Sequence, residues 1–283
     1  MAAPMGRWAQ GPPKLSAAVS KTPPAAPQQA PATAAEQALN WLVECYVALG
    51  HDRDGTRTAI LKAQRAKSFK ELCAVLDSKI ESRESWSLTH WAADAGLGAD
   101  AFSVLRDLGE GLNVQNSDGD TPMHVAAAAG QVGALHSLLA ARADVEARNS
   151  AGGTPAHTAA GGNAAGTLRA LAELGANLQA PDQWDGTPVH AAAANCACSA
   201  LHCLSELGAD LESCDSTGQR PSHWAAEGGA GKALQTLLKL RVDLQAEDHD
   251  GQTPYEVAKA NGHDDVAQLL VVLTSSSEQP TGS

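Results

Sequence analysis

Between His190 and Leu204 the sequence reads HAAAANCACSALHCL, with three cysteines and two histidines in fifteen residues. Thiolates and imidazoles are the ligands of structural zinc, and a clustered thiol is also the usual redox sensor. Cys198 and His202, spaced i, i+4, can share one face of a helix, and Cys196 could add a third donor. Two or three donors do not close a tetrahedral site, so a thiol or zinc sensor built on Cys196, Cys198 and His202 stands only as a remote alternative. No metal or cofactor is expected.

The other histidines are spaced too regularly to be a catalytic set. Six strings line up, SLTH, TPMH, TPAH, TPVH, RPSH and TPYE, ending on His90, His124, His157, His190, His223 and Glu256. The first interval is 34 residues and the next four are 33. A histidine that returns with the period belongs to the repeated unit and not to one reaction centre. Walker loops, GxGxxG, HExxH, GxSxG and kinase signatures are all missing from the sequence. The chain is read as a non-enzyme.

Each string is followed by an Ala-rich run such as HVAAAAG, then a second apolar run such as LQTLLKL, then GAD or a relative. That pattern is a helix, a turn and a second helix. Thr is a good N-cap, Pro has its φ preset for the first helical position, and the fourth residue sits at N3, where it can bond back. In the last string Glu256 makes the ordinary S/T-x-x-E capping box. The connecting segments NSDGD, NSAGG, DQWDG, DSTGQ and DHDGQ are rich in residues that accept positive φ or close a turn with their own side chains. Each reads as a hairpin-like tip.

The 33-residue spacing, TPxHxAA and GADV or GADL resemble the ankyrin repeat family over about residues 82 to 274. The resemblance implies an all-α solenoid of six helix-turn-helix repeats with projecting hairpin fingers and a concave face that grips other proteins without catalysis. Two departures stand out. Leu88 replaces Pro in the first string, and Arg220 replaces the capping Thr in the fifth, at a local cost of about 1 kcal/mol per lost cap.

The expected organisation is a disordered Ala/Pro-rich tail over 1–33, a helical N-terminal cap segment over 34–82, the repeat array over 83–274 and a disordered tail over 275–283. Leu39, Leu42, Val43, Tyr46 and Val47 mark one face of a helix in the cap segment, and Ser68 to Glu71 is a capping-box candidate for another. Residues 1–80 carry ten Lys and Arg against six Asp and Glu, net +4, whereas 81–283 carry ten against twenty-six, net −16. That acidity argues against nucleic acid and anionic membrane and for a basic or mixed-charge protein partner. Six irregularly spaced Cys and no secretory h-region point to reduced thiols and a cytoplasmic setting, with the nucleus as an alternative and an organelle transit peptide less favoured. The longest apolar run, VAQLLVVL, is too short to cross a bilayer, and the chain is expected to be a monomer.

The function expected is an adaptor or scaffold, with an inhibitor that occludes a partner enzyme or transcription factor as the alternative. Tip positions carry the candidate protein-binding residues: Ser117, Asp118, Asp120, Gln183, Trp184, Asp185, Thr217, Gln219, His249 and Asp250, with Trp86 just ahead of the first string. Two readings stay open for Trp86 and Trp184: an exposed anchor for a partner, or an indole folded onto a neighbouring finger. Trp91 and Trp224 are expected in the core. The small residues late in each first helix, Gly161, Ala194, Asn195 and Gly228 among them, are expected to floor a groove that admits an extended or helical segment.

Overall fold

The computed structural model describes Val43, residues 86–107 and residues 110–277. The expected tail over 1–33 and all of the cap segment over 34–82 except Val43 lie outside the described residues; Val43 itself is helical and buried. Twelve α-helices follow in order: α1 Leu88–Asp94, α2 Ala99–Asp107, α3 Pro122–Ala128, α4 Val132–Ala140, α5 Pro155–Gly161, α6 Ala165–Glu173, α7 Pro188–Ala194, α8 Cys198–Glu206, α9 Pro221–Glu227, α10 Gly231–Lys239, α11 Pro254–Ala260 and α12 Asp264–Ser277. There are no strands among the described residues. The last helix runs to Ser277, three residues past the boundary expected at 274.

The helices come as pairs. The first member of every pair has 7 residues and starts one residue after Ser87, Thr121, Thr154, Thr187, Arg220 or Thr253, each extended at the N-cap. The second member has 9 residues, except for the 14-residue α12. A left-handed residue separates the two: Gly96, Gly130, Asn163, Cys196, Gly229 and Gly262. Seven residues hold too few internal hydrogen bonds to stand alone, so these short helices depend on lateral packing.

The chain divides into two compact units, with the boundary between Ser150 and Ala151. In the unit containing 86–150, the first members α1 and α3 pack on each other, as do the second members α2 and α4; Leu105, Met123, Leu135 and Leu138 are fully buried there. In the unit containing 151–277, α5, α7, α9 and α11 form one row and α6, α8, α10 and α12 the other. Between them lie Leu168, Leu171, Leu201, Leu204, Leu234 and Leu237, each 0 % exposed. Below we call the first members inner helices and the second members outer helices.

Small residues let the inner row close up. A Cβ on Gly228 would stand 2.7 Å from the Ala194 carbonyl oxygen, and one on Gly161 would meet the Asn195 side chain at 3.3 Å. Ala194 is itself buried. These positions therefore serve helix-to-helix approach as well as any groove, a duty the sequence pattern did not reveal.

Candidate protein-binding surface

Four of the five tips are hairpin turns built by their own first residue. Asn116 Oδ1 accepts the N–H groups of Asp118 and Asp120, both at 2.9 Å. Asp182 Oδ1 accepts those of Trp184 (2.8 Å) and Gly186 (2.9 Å), Asp215 Oδ1 those of Thr217 (2.8 Å) and Gln219 (2.9 Å), and Asp248 Oδ1 those of Asp250 and Gln252 (both 2.9 Å). All four of these first residues are buried. The fourth residue takes positive φ, which Gly119, Gly152, Gly218 and Gly251 adopt freely; in the fourth string's tip it is Asp185, at φ 62°.

Successive tips are laced together by one backbone bond per step. Ser150 donates to the Asp118 carbonyl at 3.1 Å in the first unit. In the second unit Gln183 donates to Ala151 (3.2 Å), Ser216 to Trp184 (2.9 Å) and His249 to Thr217 (3.1 Å).

The periodic histidine joins an inner helix to the following tip. Its Nδ1 faces the N-cap backbone N–H, at 3.1 Å from Ser87, 3.1 Å from Thr154, 3.0 Å from Thr187 and 3.1 Å from Arg220. A nitrogen facing a donor must accept, so the ring proton sits on Nε2. That proton is given to the carbonyl of the tip's fifth residue: His90 to Asp120 (2.8 Å), His157 to Gly186 (3.0 Å), His190 to Gln219 (3.1 Å) and His223 to Gln252 (3.0 Å). Protonating Nδ1 would set one N–H against another in a buried place. Burial holds His90 and His223 below the usual imidazole range and pushes His190 down to about 4, while the carbonyl bonds oppose the shift.

Arg220 cannot complete a capping box, because guanidinium has no acceptor. Only the His223 half of the box remains, and Arg220 instead pairs with Glu212 at 2.7 Å, whose other oxygen accepts the Asp243 N–H at 2.7 Å. Glu256 takes the histidine's place in the last pair, where its exposed carboxylate accepts the Thr253 N–H and hydroxyl. These bonds lower its pKa. A histidine there would have no following tip among the described residues to receive its Nε2 proton.

Ser117, Asp118, Gln183, Asp185, His249 and Asp250 are exposed, as a contact surface requires. Asp120, Trp184, Thr217 and Gln219 are only half-exposed. Asp120 accepts from Asn149 at 2.8 Å, and the Thr217 hydroxyl is taken by Asp215 at 2.8 Å, so both side chains do structural work in the tips. Trp86 is half-buried against Trp91, edge to face with centroids 4.9 Å apart. Its ring packs on the helix that follows it and on no finger, and Trp91, half-exposed, is not the core residue expected. Trp184 keeps its backbone in the lacing and its indole out of any hydrogen bond or ring contact among the described residues.

Trp224 is 2 % exposed. Its Nε1–H donates to Asp215 Oδ2 at 2.8 Å, and its ring meets His190 edge-on with centroids 5.1 Å apart. Sequence reasoning placed it in the core but missed that it fixes Asp215 and the tip that Asp215 builds. The nearest sequence signal was the exchange of Gly and Asp in DQWDG relative to NSDGD.

In the cysteine run, Cys196 stands in the interhelical turn at φ 56° and Cys203 is buried, with its thiol pushed up by burial. Cys198 Sγ points to the Cys196 carbonyl at 3.5 Å, while His202 is exposed. Among the described residues no group of three or more His, Cys, Asp and Glu is placed to hold a metal ion.

The family described as ankyrin repeats (3 copies) matches the sequence over residues 89–182, 125–213 and 189–279, more than half of the chain. The chain belongs to the ankyrin repeat family. It is an all-α repeat solenoid, and ankyrin repeats are protein-protein interaction modules, typically without catalysis. No curated protein matches the sequence. No described helix is long and apolar enough to cross a membrane.

Proposed function

We propose that the chain is a non-catalytic adaptor or scaffold whose six helix pairs act as six ankyrin repeats, binding partner proteins through the tips and the inner helices. The observation that carries this reading is the division of labour in each tip. The buried first residue and the backbone build the turn, so the exposed side chains of Gln183, Asp185, His249 and Asp250 are left for contact. Four unpaired thiols, Cys196, Cys198, Cys203 and Cys214, suit the reducing cytoplasm. The segment over 34–82 serves as the N-terminal cap that a solenoid end needs. Affinity capture from the native cell with mass spectrometry, run with wild type, Trp184→Ala and Asp118→Lys, tests the reading. Loss of a shared set of proteins from the variants supports it, and an unchanged set from both argues against this face.

A further inference from the structure

Cations in the unit containing 151–277 are unevenly placed. The tips 182–186, 215–219 and 248–252, with the inner helices α5, α7, α9 and α11, carry seven Asp and Glu and one cation, Lys259. Arg169, Lys232, Lys239 and Arg241 stand on outer helices or connecting segments, and Arg220, at the N-cap of α9, is paired with Glu212. Asp182, Asp215 and Asp248 are used up by the turns and Glu256 by its cap. The carboxylates of Asp185, Glu227 and Asp250 have no hydrogen-bond or ion-pair partner among the described residues.

Glu227 differs from the two tip acids. It ends α9, three residues after Trp224, and is half-buried, with its carboxyl pushed up to about 7 by burial and the nearby Asp215. A desolvated carboxylate without a cation gains most from an arriving one. On the 182–186 tip Trp184, whose indole has no partner among the described residues, is followed by the exposed Asp185, whose backbone holds the left-handed conformation that the other tips assign to Gly. An aromatic face next to a carboxylate suits guanidinium, which stacks on the ring and bonds the acid with a planar fork; ammonium offers only a point charge.

We propose that the tips and inner helices of this unit seat an extended, arginine-bearing segment of a partner protein, with guanidinium groups taken by Trp184 with Asp185 and by Glu227. The inference rests on the protein-binding reading above and adds the chemistry of the partner. Unpaired anions and a missing counter-charge on the same surface carry it, since charge complementarity orients a partner and excludes the wrong ones.

Selection of phage-displayed random 12-mers on the full chain, followed by fluorescence-anisotropy titration of the synthetic consensus peptide, tests it. The expected consensus is rich in Arg and poor in Asp and Glu. Trp184→Ala and Glu227→Gln should each weaken the peptide about fivefold or more, as should Arg→Lys in the peptide. Glu173→Gln, an exposed acid at the end of outer helix α6, should leave it unchanged. Circular dichroism melting establishes that each variant is folded. A neutral or acidic consensus, no enrichment, or equal affinity for all variants overturns the proposal. Capture of native partners that persists in Trp184→Ala and Glu227→Gln would sink the arginine seat and leave protein binding standing. Capture of no partner by wild type would sink the broader reading.

Discussion

The Trp224 indole rests on Gly186: a Cβ there would stand 2.7 Å from Cη2 and 3.0 Å from Cζ2 of the ring. That contact explains why this tip reads WDG. Glycine has moved one place to make room for the indole, and Asp185 has taken over the positive φ. Gly186→Ala should therefore destabilise the chain by about 1–3 kcal/mol through overpacking. Trp224→Phe should cost about 1–3 kcal/mol by leaving Asp215 Oδ2 without its donor. If the two substitutions share one contact, urea unfolding of the double variant will show less than the sum of the two losses.

His190 and Glu227 give stability opposite pH slopes. His190 titrates at about 4 in the folded chain against 6.5 unfolded, so its neutral form stabilises above about pH 6.5 and that contribution is lost as pH falls towards 4. The full effect is on the order of 3 kcal/mol. Glu227 has its folded pKa raised from 4.5 to about 7, so its contribution is complete below 4.5 and lost as pH rises through 7. Solvent screening of this half-exposed group brings it to about 1 kcal/mol. Melting temperature measured from pH 4 to 8 should climb less steeply in His190→Gln than in wild type on the acid side. Glu227→Gln should lessen the decline on the alkaline side, to which Glu110 and Asp182, pushed up by burial to about 7 and about 6, also contribute.

Much of the array was legible because it is local. TPxH at a 33-residue interval specifies helix starts, and the Asp/Asn-led tips specify turns through bonds two and four residues long. Contacts about 30 residues apart were not legible. The acceptor of each His Nε2 and the use of Gly228 against the Ala194 carbonyl depend on a neighbouring repeat. Arg220 looked like a lost cap because its partner, Glu212, lies eight residues back on the far side of a tip.

Thr158 carries a buried hydroxyl with no hydrogen-bond partner, at a position where Val125 and Val257 stand in other repeats. Replacing an unsatisfied polar group by an apolar one of the same shape removes its desolvation cost. Thr158→Val should stabilise by about 1 kcal/mol, seen as a higher urea midpoint with unchanged slope. A lower midpoint would mean that the hydroxyl is satisfied in solution.

Cys196 holds φ 56° where Gly130, Gly229 and Gly262 hold 72°, 66° and 78°. Relief of that conformation should make Cys196→Gly neutral or stabilising by up to about 1 kcal/mol, with partner binding unaffected. A variant that loses both stability and stoichiometric zinc would revive the sensor reading of the cysteine run.

The most direct test of binding through tips and inner helices is hydrogen exchange of the chain, free and saturated with a partner recovered by capture. Slowed exchange in residues 182–186, 215–219 and 248–252 and in the inner helices α7 and α9, with the outer helices α8 and α10 unchanged, is the expected result. Protection confined to α8, α10 and α12 would place the partner on the outer helices and contradict the account.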